Sequence, residues 1–198
     1  MEIVLGSKNP AKLRSVGLLL EGTGCTLISA GIPCGAEENG ADPAENALIK
    51  AEYYAESTGM SAVAEDSGLY FLDFPMDDPH QPGLYVRRVG GKELTDEEMV
   101  EYYRSVVRDL GGRVLAAWYD GYVISFGKGK SRSILMPEEA ARAWAFYLVD
   151  EQVEPMHPGF PMDSISEVLP RTPEKDAARE KGVEEIKAFL RQEIESHR

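Results

Sequence analysis

The first twenty residues, MEIVLGSKNPAKLRSVGLLL, constrain the fold more than any other stretch of the chain. An apolar run over residues 3–5 ends at Gly6, a polar loop follows, and a helical pattern opens with Pro10 in its first turn. At such a junction, free backbone N–H groups and the positive end of the helix dipole favour an anion. The polar side chains at the junction are Ser7, Lys8, Asn9 and Lys12. The layout predicts a phosphate-binding loop, although ordinary strand-to-helix turns also share it.

The remainder of the chain alternates predicted strands with predicted helices, which favours an α/β fold. Helices are predicted over residues 10–21, 43–57, 95–110 and 173–196, and strands over residues 25–29, 60–64 and 113–126. The segment 113–126 is predicted to be a hairpin that turns at Asp120 and Gly121. Residues 130–150 fit either a strand or a helix, and residues 74–91, rich in Pro, Gly and Asp, are predicted to form an excursion or lid.

Composition limits the partners of the chain. Its 198 residues suit one domain, predicted to span residues 1–198, and 34 acidic against 21 basic residues give a net charge of −13. That charge argues against a nucleic acid polymer and against an anionic membrane as partner, so a polyanionic small substrate would need local lysines or a divalent cation. The two cysteines lack metal or disulfide spacing, and no apolar run approaches eighteen residues. We therefore expect a soluble protein of the reducing cytoplasm.

Acidic residues cluster at predicted loops and strand ends, where α/β enzymes place their sites. The clusters are Glu37 with Glu38, Glu45, and Glu65 with Asp66. Carboxylates in such places hold Mg²⁺ through one or two oxygens while the metal keeps waters and takes up phosphate oxygens. Asp66 is the sharpest candidate, because it closely follows the apolar run of residues 60–64 and precedes Ser67 and Gly68. The alternative is that Asp66 and Ser67 only form a turn, since Asp and Ser before Gly are common turn residues.

Four segments resemble the motifs of a known family. SKNPAKLRSV is similar to its (S/T)-x-N-x-x-K opening, ENALIKA matches its second motif, and AEDSGL followed by PGLYVRR resembles its acidic-SGL and PG-x-Y motifs. The family is that of the Ham1-like nucleoside triphosphate pyrophosphatases, the inosine triphosphate pyrophosphatase group. The segments cover roughly residues 1–90, in the family's order and at about its spacing. The resemblance implies a mixed twisted α/β sheet flanked by helices, with two lobes around a central cleft, and a homodimer.

The resemblance also implies an activity and a set of site residues. Members of the family hydrolyse non-standard purine triphosphates such as ITP, dITP and XTP to the monophosphate and pyrophosphate, and they use Mg²⁺. By position, Ser7, Asn9 and Lys12 would contact the triphosphate, Glu38, Glu65 and Asp66 would bind the metal, and Lys50 and Ser67 would be further substrate contacts. Asp66 would also accept a proton from the attacking water, a role that suits a carboxylate beside a metal.

The C-terminal half departs from the family's pattern. Members carry a G-F-G-(Y/W)-D-P motif whose aromatic residues help to form the base pocket. The best match here is GFPMDS, which keeps Phe160 and Asp163 but has Met162 in place of the second aromatic. The later S-H-R motif aligns with AAR, where only Arg179 remains, and Lys175 stands near the position of the family's preceding lysine. The resemblance therefore implies base contacts from these residues, with a reduced ability to discriminate between bases.

Two other interpretations stay open on the sequence alone. In the first, the chain is a nucleotide-binding or regulatory protein that kept the phosphate-binding loop and lost turnover. In the second, it is a pyrophosphatase for a pyrimidine or modified triphosphate. Retention of Lys12, Glu38, Glu65 and Asp66 argues against the first, whereas the changes in the base-reading motifs leave room for the second.

Overall fold

The centre of the protein is a mixed β-sheet, seen in a computed structural model that describes residues 1–7 and 9–197. Within these residues the sheet has seven strands in the order β2-β1-β3-β6-β8-β9, with β7 also paired to β6, and β4 and β5 form a separate two-stranded ribbon. The strands are β1 Glu2–Leu5, β2 Thr26–Ser29, β3 Ala62–Phe71, β4 Arg88–Val89, β5 Lys92–Glu93, β6 Arg113–Ser125, β7 Ser131–Leu135, β8 Phe146–Val149 and β9 Ser166–Val168. The helices are α1 Pro10–Leu19, α2 Pro43–Thr58, α3 Asp96–Asp109, α4 Glu138–Ala143 and α5 Pro173–Ser196, with a 3-10 helix at Pro161–Ile165.

The longest ladder of the sheet joins β3 to β6. These strands are antiparallel and pair over ten residues of each, from Ala62 opposite Ser125 to Phe71 opposite Ala116. On its other edge β6 is shared, because β7 pairs with residues 121–125 and β8 pairs with residues 113–116. The parallel pairs of β1 with β2 and with β3 complete a mixed sheet flanked by helices, which confirms the predicted fold class.

Helices cover both faces of the sheet. On one face, α1 and α5 pack against one end of the β3–β6 ladder through a core that includes Ile3, Leu5, Val16, Val63, Tyr122, Ile124, Ile186 and Leu190. At the other end of the same face, α3 and the 3-10 helix pack through Leu69, Phe71, Met99, Tyr103, Val114, Leu148 and Ile165. On the opposite face, α2 packs through Tyr54, Ala47, Ala51, Ala64 and Val123. The helices therefore cover two separate apolar patches on one face, and α2 covers the opposite face.

A polar strip separates the two cores that share a face. Directly opposed residues of an antiparallel pair point to the same side, and the pairs between the two cores are Glu65 with Tyr122 and Ser67 with Asp120. We call the side chains of Glu65, Ser67 and Asp120 the polar strip. Polar groups in the middle of a sheet face need partners or solvent, so their position between two apolar cores marks this part of the sheet as a candidate functional site.

The predicted helix ends are largely confirmed. The Asp42 side chain accepts a hydrogen bond from the Glu45 N–H at 2.8 Å, Pro43 occupies the first turn of α2, and Gly59 ends that helix with φ 68°. A capping box begins α3, with Thr95 and Glu98 bonded reciprocally. Among the described residues, no helix combines the length and the apolar character needed to cross a lipid bilayer.

Gly121 sets how closely α2 approaches the sheet. A Cβ built at this position would lie 2.3 Å from the backbone nitrogen of Ala44 and 2.5 Å from the carbonyl carbon of Pro43. The first turn of α2 thus crosses directly over β6, with no room for a side chain between them. This close contact holds α2 at the depth from which Lys50, two turns later, reaches the centre of β3.

Two sequence predictions for the strands were wrong. No hairpin turns at Asp120 and Gly121, because β6 runs straight through them, and the turn that leads into β7 lies instead at residues 127–130. The predicted strand at residues 60–64 continues to Phe71, so the alternative of a turn at Asp66 and Ser67 is also excluded. In both places the long β3–β6 ladder supplies backbone partners that outweigh the local turn preference of Asp and Gly.

Segments of ambiguous sequence are also resolved. Residues 138–143 form α4 and residues 146–149 form β8. Within residues 137–149, only the first half is therefore helical. The predicted excursion over residues 74–91 is mostly irregular and is fastened to β3 by the Gln81 side chain, which donates to the carbonyl of Phe71 and accepts from its N–H. Whether this segment acts as a lid stays a prediction.

Candidate active site

The loop between β1 and α1 is organised by its own side chains and reaches across to the C-terminal half. Ser7 Oγ accepts a hydrogen bond from the Asn9 N–H at 3.1 Å, and the Asn9 carbonyl accepts from the Lys12 N–H at 3.1 Å. Asn9 Nδ2 donates to the carbonyl of Gly159 at 3.5 Å, and the Gly159 N–H donates to Asp96 Oδ2 at 3.5 Å. The predicted phosphate-binding loop therefore lies beside the residues that precede Phe160.

Lys12 reaches from α1 to the polar strip. Its Nζ donates to the backbone carbonyl of Glu65 at 3.3 Å and lies 3.5 Å from Glu65 Oε1, while Ser67 Oγ lies 3.3 Å from that same oxygen. Burial on its own lowers the pKa of Lys12, but the carboxylates of Glu65, Asp66 and Asp120 outweigh it, so the pKa is raised overall. The ammonium group therefore stays charged and is suited to an anion such as phosphate.

Asp120 is a site residue that sequence reasoning missed, because Asp-Gly was interpreted as a hairpin turn. It lies directly opposite Ser67 in the β3–β6 ladder, on the face of the sheet that also carries Glu65 and Tyr122. Burial raises the pKa of Asp120 to about 6, and the nearby charge of Glu65 adds to the effect. The available signal was that strand-forming residues continue on both sides of Asp120 and Gly121, as in a single long strand.

The other face of β3 carries a second charged cluster. Asp66 Oδ1 lies 2.5 Å from Lys50 Nζ, and the same Nζ lies 3.7 Å from Glu38 Oε2. Arg88 Nη2 forms an ion pair with the same Glu38 oxygen at 3.1 Å. Lys50 is buried, so the carboxylates of Glu38 and Asp66 converge on a single protected point.

Glu65 and Asp66 do not converge with one another. Neighbouring residues of a strand point to opposite faces, and accordingly Glu65 contacts Lys12 while Asp66 contacts Lys50. Within the described part of the chain, no three acidic, histidine or cysteine side chains are placed to hold one metal ion together. The predicted metal set thus divides into the pair Glu38 and Asp66 on one face and Glu65 on the other.

The C-terminal site candidates have different surroundings. Phe160 is 43% exposed and follows Gly159, whose carbonyl Asn9 contacts. Asp163 lies in the 3-10 helix, where burial and then the charge of Glu154 raise its pKa. Phe160 is therefore the member of this group that the backbone contacts bring nearest to the phosphate-binding loop.

The two cationic candidates of α5 lie in its first two turns. Lys175 is partly exposed, and its backbone N–H donates to the Thr172 side chain that caps the helix. Arg179 is buried, its Nε donates to the Ala143 carbonyl at 2.9 Å, and its guanidinium carbon lies 4.3 Å from the centre of the Trp144 ring. These contacts tie α5 to the segment between α4 and β8.

Asp120 gives the folded protein a measurable pH dependence. Because its pKa is raised to about 6, the folded state holds a proton that the unfolded state releases nearer pH 4, so the wild-type free energy of unfolding falls as pH rises to about 6. Asp120→Asn has no such proton to lose. We expect the stability of the variant relative to wild type to increase by about 1 kcal/mol between pH 5.0 and pH 7.5, measured by urea unfolding.

The matched control for this measurement is Asp109→Asn. Asp109 is exposed at the end of α3 and has no ion pair with the described residues, so the stability of this variant is expected to follow the wild-type curve. A constant difference between Asp120→Asn and wild type across the pH range would contradict the assignment of a raised pKa to Asp120.

Comparison with known proteins gives consistent matches. The family model described as the Ham1 family matches residues 3–117. The dITP/XTP pyrophosphatase of Thermus thermophilus is 39% identical over 119 residues, which make up 57% of this chain and 53% of the relative. The dITP/XTP pyrophosphatase of Photorhabdus laumondii is 34% identical over 112 residues, 55% of this chain and 54% of the relative. The chain thus spans about half the length of these curated relatives.

Solved structures match over nearly the whole chain. The Ham1 protein of Staphylococcus aureus superposes with a TM-score of 0.65 at 21% identity, covering 98% of this chain and 100% of the other. A nucleoside-triphosphatase and dITP/XTP pyrophosphatase of Mycobacterium abscessus superposes with a TM-score of 0.60 at 26% identity, covering 96% and 99%. The family model covers more than half of the chain and includes Lys12, Glu38, Lys50, Glu65 and Asp66. The chain therefore belongs to the Ham1 family.

Proposed function

We propose that the protein is a nucleoside triphosphate pyrophosphatase that converts non-standard purine triphosphates, ITP, dITP and XTP, to the monophosphate and pyrophosphate. The observation that carries this proposal is the meeting of two lysines from different helices at the centre of one strand. Lys12 from α1 and Lys50 from α2 reach residues 65–66 of β3 from opposite faces, and each contacts a carboxylate. The family model that matches residues 3–117 includes both lysines, and the curated relatives named dITP/XTP pyrophosphatase match over 119 and 112 residues.

The residues of the α2 face suit Mg²⁺. Glu38 and Asp66 both approach the Lys50 ammonium, so their oxygens already meet around a point of positive charge. Mg²⁺ is usually held by one or two carboxylates and completes its shell with waters and phosphate oxygens. When bound, the metal would neutralise phosphate charge and make a water more acidic. Glu65 as a third ligand stays a prediction, since its side chain lies on the other face of β3.

The chain's own groups account for the remaining chemistry. Water attacks the α-phosphorus, the bond to the bridging oxygen of the β-phosphate breaks, and pyrophosphate leaves with its electron pair. Asp66 accepts the proton of the attacking water. Lys12 and the loop residues Ser7 and Asn9 hold the phosphates that become the leaving group, while Lys50 and Ser67 add further contacts.

Base recognition is assigned to Phe160, Asp163, Lys175 and Arg179. The position of Gly159 beside Asn9 supports a base stacked against Phe160 next to the phosphates. Arg179, by contrast, is engaged with Ala143 and Trp144, and this observation favours a second candidate, a pyrophosphatase with a different base preference. The homodimer implied by the family resemblance and the cytoplasmic location expected from the composition remain predictions.

The decisive experiment compares nucleotides and identifies the phosphate product. Purified protein with Mg²⁺ is given ITP, XTP, dUTP and the four standard triphosphates, and pyrophosphate is assayed separately from orthophosphate. We expect pyrophosphate from ITP and XTP with kcat/KM at least about tenfold above that for ATP, and no release in EDTA. Equal kcat/KM values for all bases would contradict purine selectivity and would support the second candidate. Nucleotide binding without release of pyrophosphate would contradict the proposed activity and would show that the protein binds nucleotides without hydrolysing them.

A further inference from the structure

Residues 157–160, with the sequence HPGF, form a tight turn that does not use the polar backbone groups of its glycine. The Phe160 N–H donates to the His157 carbonyl at 3.0 Å and closes the turn. Pro158 in the second place and Gly159 in the third, with φ 87°, are the residue types that favour a type II turn. The N–H and the carbonyl of Gly159 can therefore bond to groups outside the turn.

Side chains from two distant elements bond to these two groups of Gly159. Asp96 Oδ2 accepts from the Gly159 N–H at 3.5 Å, and Asn9 Nδ2 donates to the Gly159 carbonyl at 3.5 Å. A Cβ built on Gly159 would lie 3.1 Å from Asn9 Oδ1, so the turn packs closely against the predicted phosphate-binding loop. Two long hydrogen bonds thus hold the turn, one to the start of α3 and one to that loop.

Asp96 is itself held firmly. It is the first residue of α3, directly after the capping residue Thr95, and its Oδ1 accepts from Arg87 Nη2 at 2.7 Å. Arg87 also donates from Nη1 to the Leu94 carbonyl at 3.1 Å. Each carboxylate oxygen of Asp96 therefore has its own partner, and the oxygen that contacts Gly159 belongs to an anchored helix start.

The segment that follows the turn carries the proposed base contact. Phe160 is 43% exposed, whereas Met162 and Ile165 of the 3-10 helix are buried in the core that includes α3. The core fixes one end of this segment, and the two contacts of Gly159 fix the other. These contacts therefore determine where the Phe160 ring lies relative to the phosphate-binding loop. That position matters because one nucleotide has to reach the ring and the loop at the same time.

We propose that Asp96 is a positioning residue for base recognition, which holds the Gly159 N–H and so sets the position of Phe160 relative to the phosphate-binding loop. The proposal rests on the proposed function, because that function places a base against Phe160. In this role Asp96 touches neither the base nor the phosphates. Its loss releases one attachment of the turn, which weakens the contact with the base and leaves the contacts with the phosphates in place.

The test compares binding of ITP with binding of inorganic tripolyphosphate, measured by calorimetry in EDTA, where no turnover is expected. Tripolyphosphate has the phosphates without the base, so the Kd for ITP divided by the Kd for tripolyphosphate reports what the base contributes. A change in the charge around the site shifts the affinity for both polyanions in the same direction and largely cancels in this ratio. The same holds for the charge of Lys8, which lies outside the described residues.

Asp96→Asn is the variant that tests the contact. Asn keeps the size of Asp, and its one side-chain oxygen is expected to stay with Arg87, the closer and charged partner. The amide NH2 then faces the Gly159 N–H, and that hydrogen bond is lost. We expect the ratio of the two Kd values to rise about threefold to tenfold. With Mg²⁺, KM for ITP is expected to rise while kcat stays within about twofold of wild type.

Two further variants separate the contact from a general effect on α3. Glu97→Gln removes an acidic charge from the same first turn, where Glu97 is exposed, and is expected to leave the ratio unchanged. Asp96→Ala removes both oxygens and is expected to raise the ratio at least as far as Asp96→Asn does. Thermal unfolding of each variant shows that it is folded.

An unchanged ratio in Asp96→Asn, or an equal rise in Glu97→Gln, overturns the role of Asp96. A wild-type protein that binds ITP no more tightly than tripolyphosphate also overturns it, because the base then contributes nothing that Asp96 could position. A wild-type protein that binds ITP more tightly but releases no pyrophosphate overturns the proposed function alone. In that case the ratio still decides whether Asp96 positions Phe160.

Discussion

Asp66→Asn is expected to lower kcat for pyrophosphate release by about 10³-fold, because an amide cannot accept the proton of the attacking water. Asn has nearly the shape of Asp and keeps an oxygen that can accept from Lys50, so the packing of α2 on β3 is preserved. The substitution also removes one of the two carboxylates, those of Glu38 and Asp66, that converge on the proposed metal position. Initial rates at saturating ITP and Mg²⁺ provide the measurement.

Asp109→Asn serves as the control for loss of an aspartate charge and is expected to retain the wild-type rate. Thermal unfolding separates a catalytic loss from an unfolded protein, and the melting temperature of Asp66→Asn is expected to lie within a few degrees of wild type. If Asp66→Asn retains kcat within threefold, Asp66 is not the proton acceptor. A large increase in the Mg²⁺ requirement, with kcat recovered at high Mg²⁺, assigns it to metal binding alone.

Gly121→Ala is expected to destabilise the protein by about 3 kcal/mol or more, because even one methyl group has no space there. The added carbon would lie 2.3 Å from the Ala44 nitrogen, and this obstacle is backbone rather than a side chain that can rotate away. To accommodate it, the start of α2 must lift off β6, which also draws Lys50 away from Asp66. Urea unfolding and the yield of folded protein measure the effect.

The control for this substitution is Gly17→Ala. Gly17 lies within α1, and a Cβ built there meets nothing within 4 Å. Alanine in the interior of a helix is favoured over glycine, so we expect a gain of roughly 0.5–1 kcal/mol instead of a loss. Equal stability of Gly121→Ala and wild type would show that α2 can shift without a penalty, and would remove the argument that Gly121 fixes its depth.

Local sequence signals were sufficient for prediction where residues that are neighbours in the sequence determine the structure. The start of α2 at Pro43, the capping box at Thr95 and the span of α5 follow from residues within one helical turn of the ends. The order of strand, loop and helix around Gly6 was predictable for the same reason, because strand, glycine, polar loop and helix are consecutive in the sequence. The contact of this loop with Gly159 was not, since 150 residues separate the two partners.

Sequence reasoning failed where distant strands decide the structure. Asp120 with Gly121, and Asp66 with Ser67 and Gly68, are both good turn sequences, yet each segment lies in the middle of a strand because the other supplies its backbone partners. The opposite directions of Glu65 and Asp66 follow from this extended conformation. As neighbours in the sequence they looked like a natural pair, and only the knowledge that both are in a strand separates them.

The unbroken β3–β6 ladder affects how the protein can move. Its ten residue pairs run beneath both cores and cross the polar strip without a bulge or a glycine turn. A hinge between the two halves of the ladder, each beneath one of the cores, would have to bend both strands at once and break hydrogen bonds in the middle of the sheet. We therefore expect the floor of the proposed site to be rigid and any enclosure of a substrate to come from the surrounding segments, which are residues 74–91, the loop around Gly159 and the loop that carries Glu38.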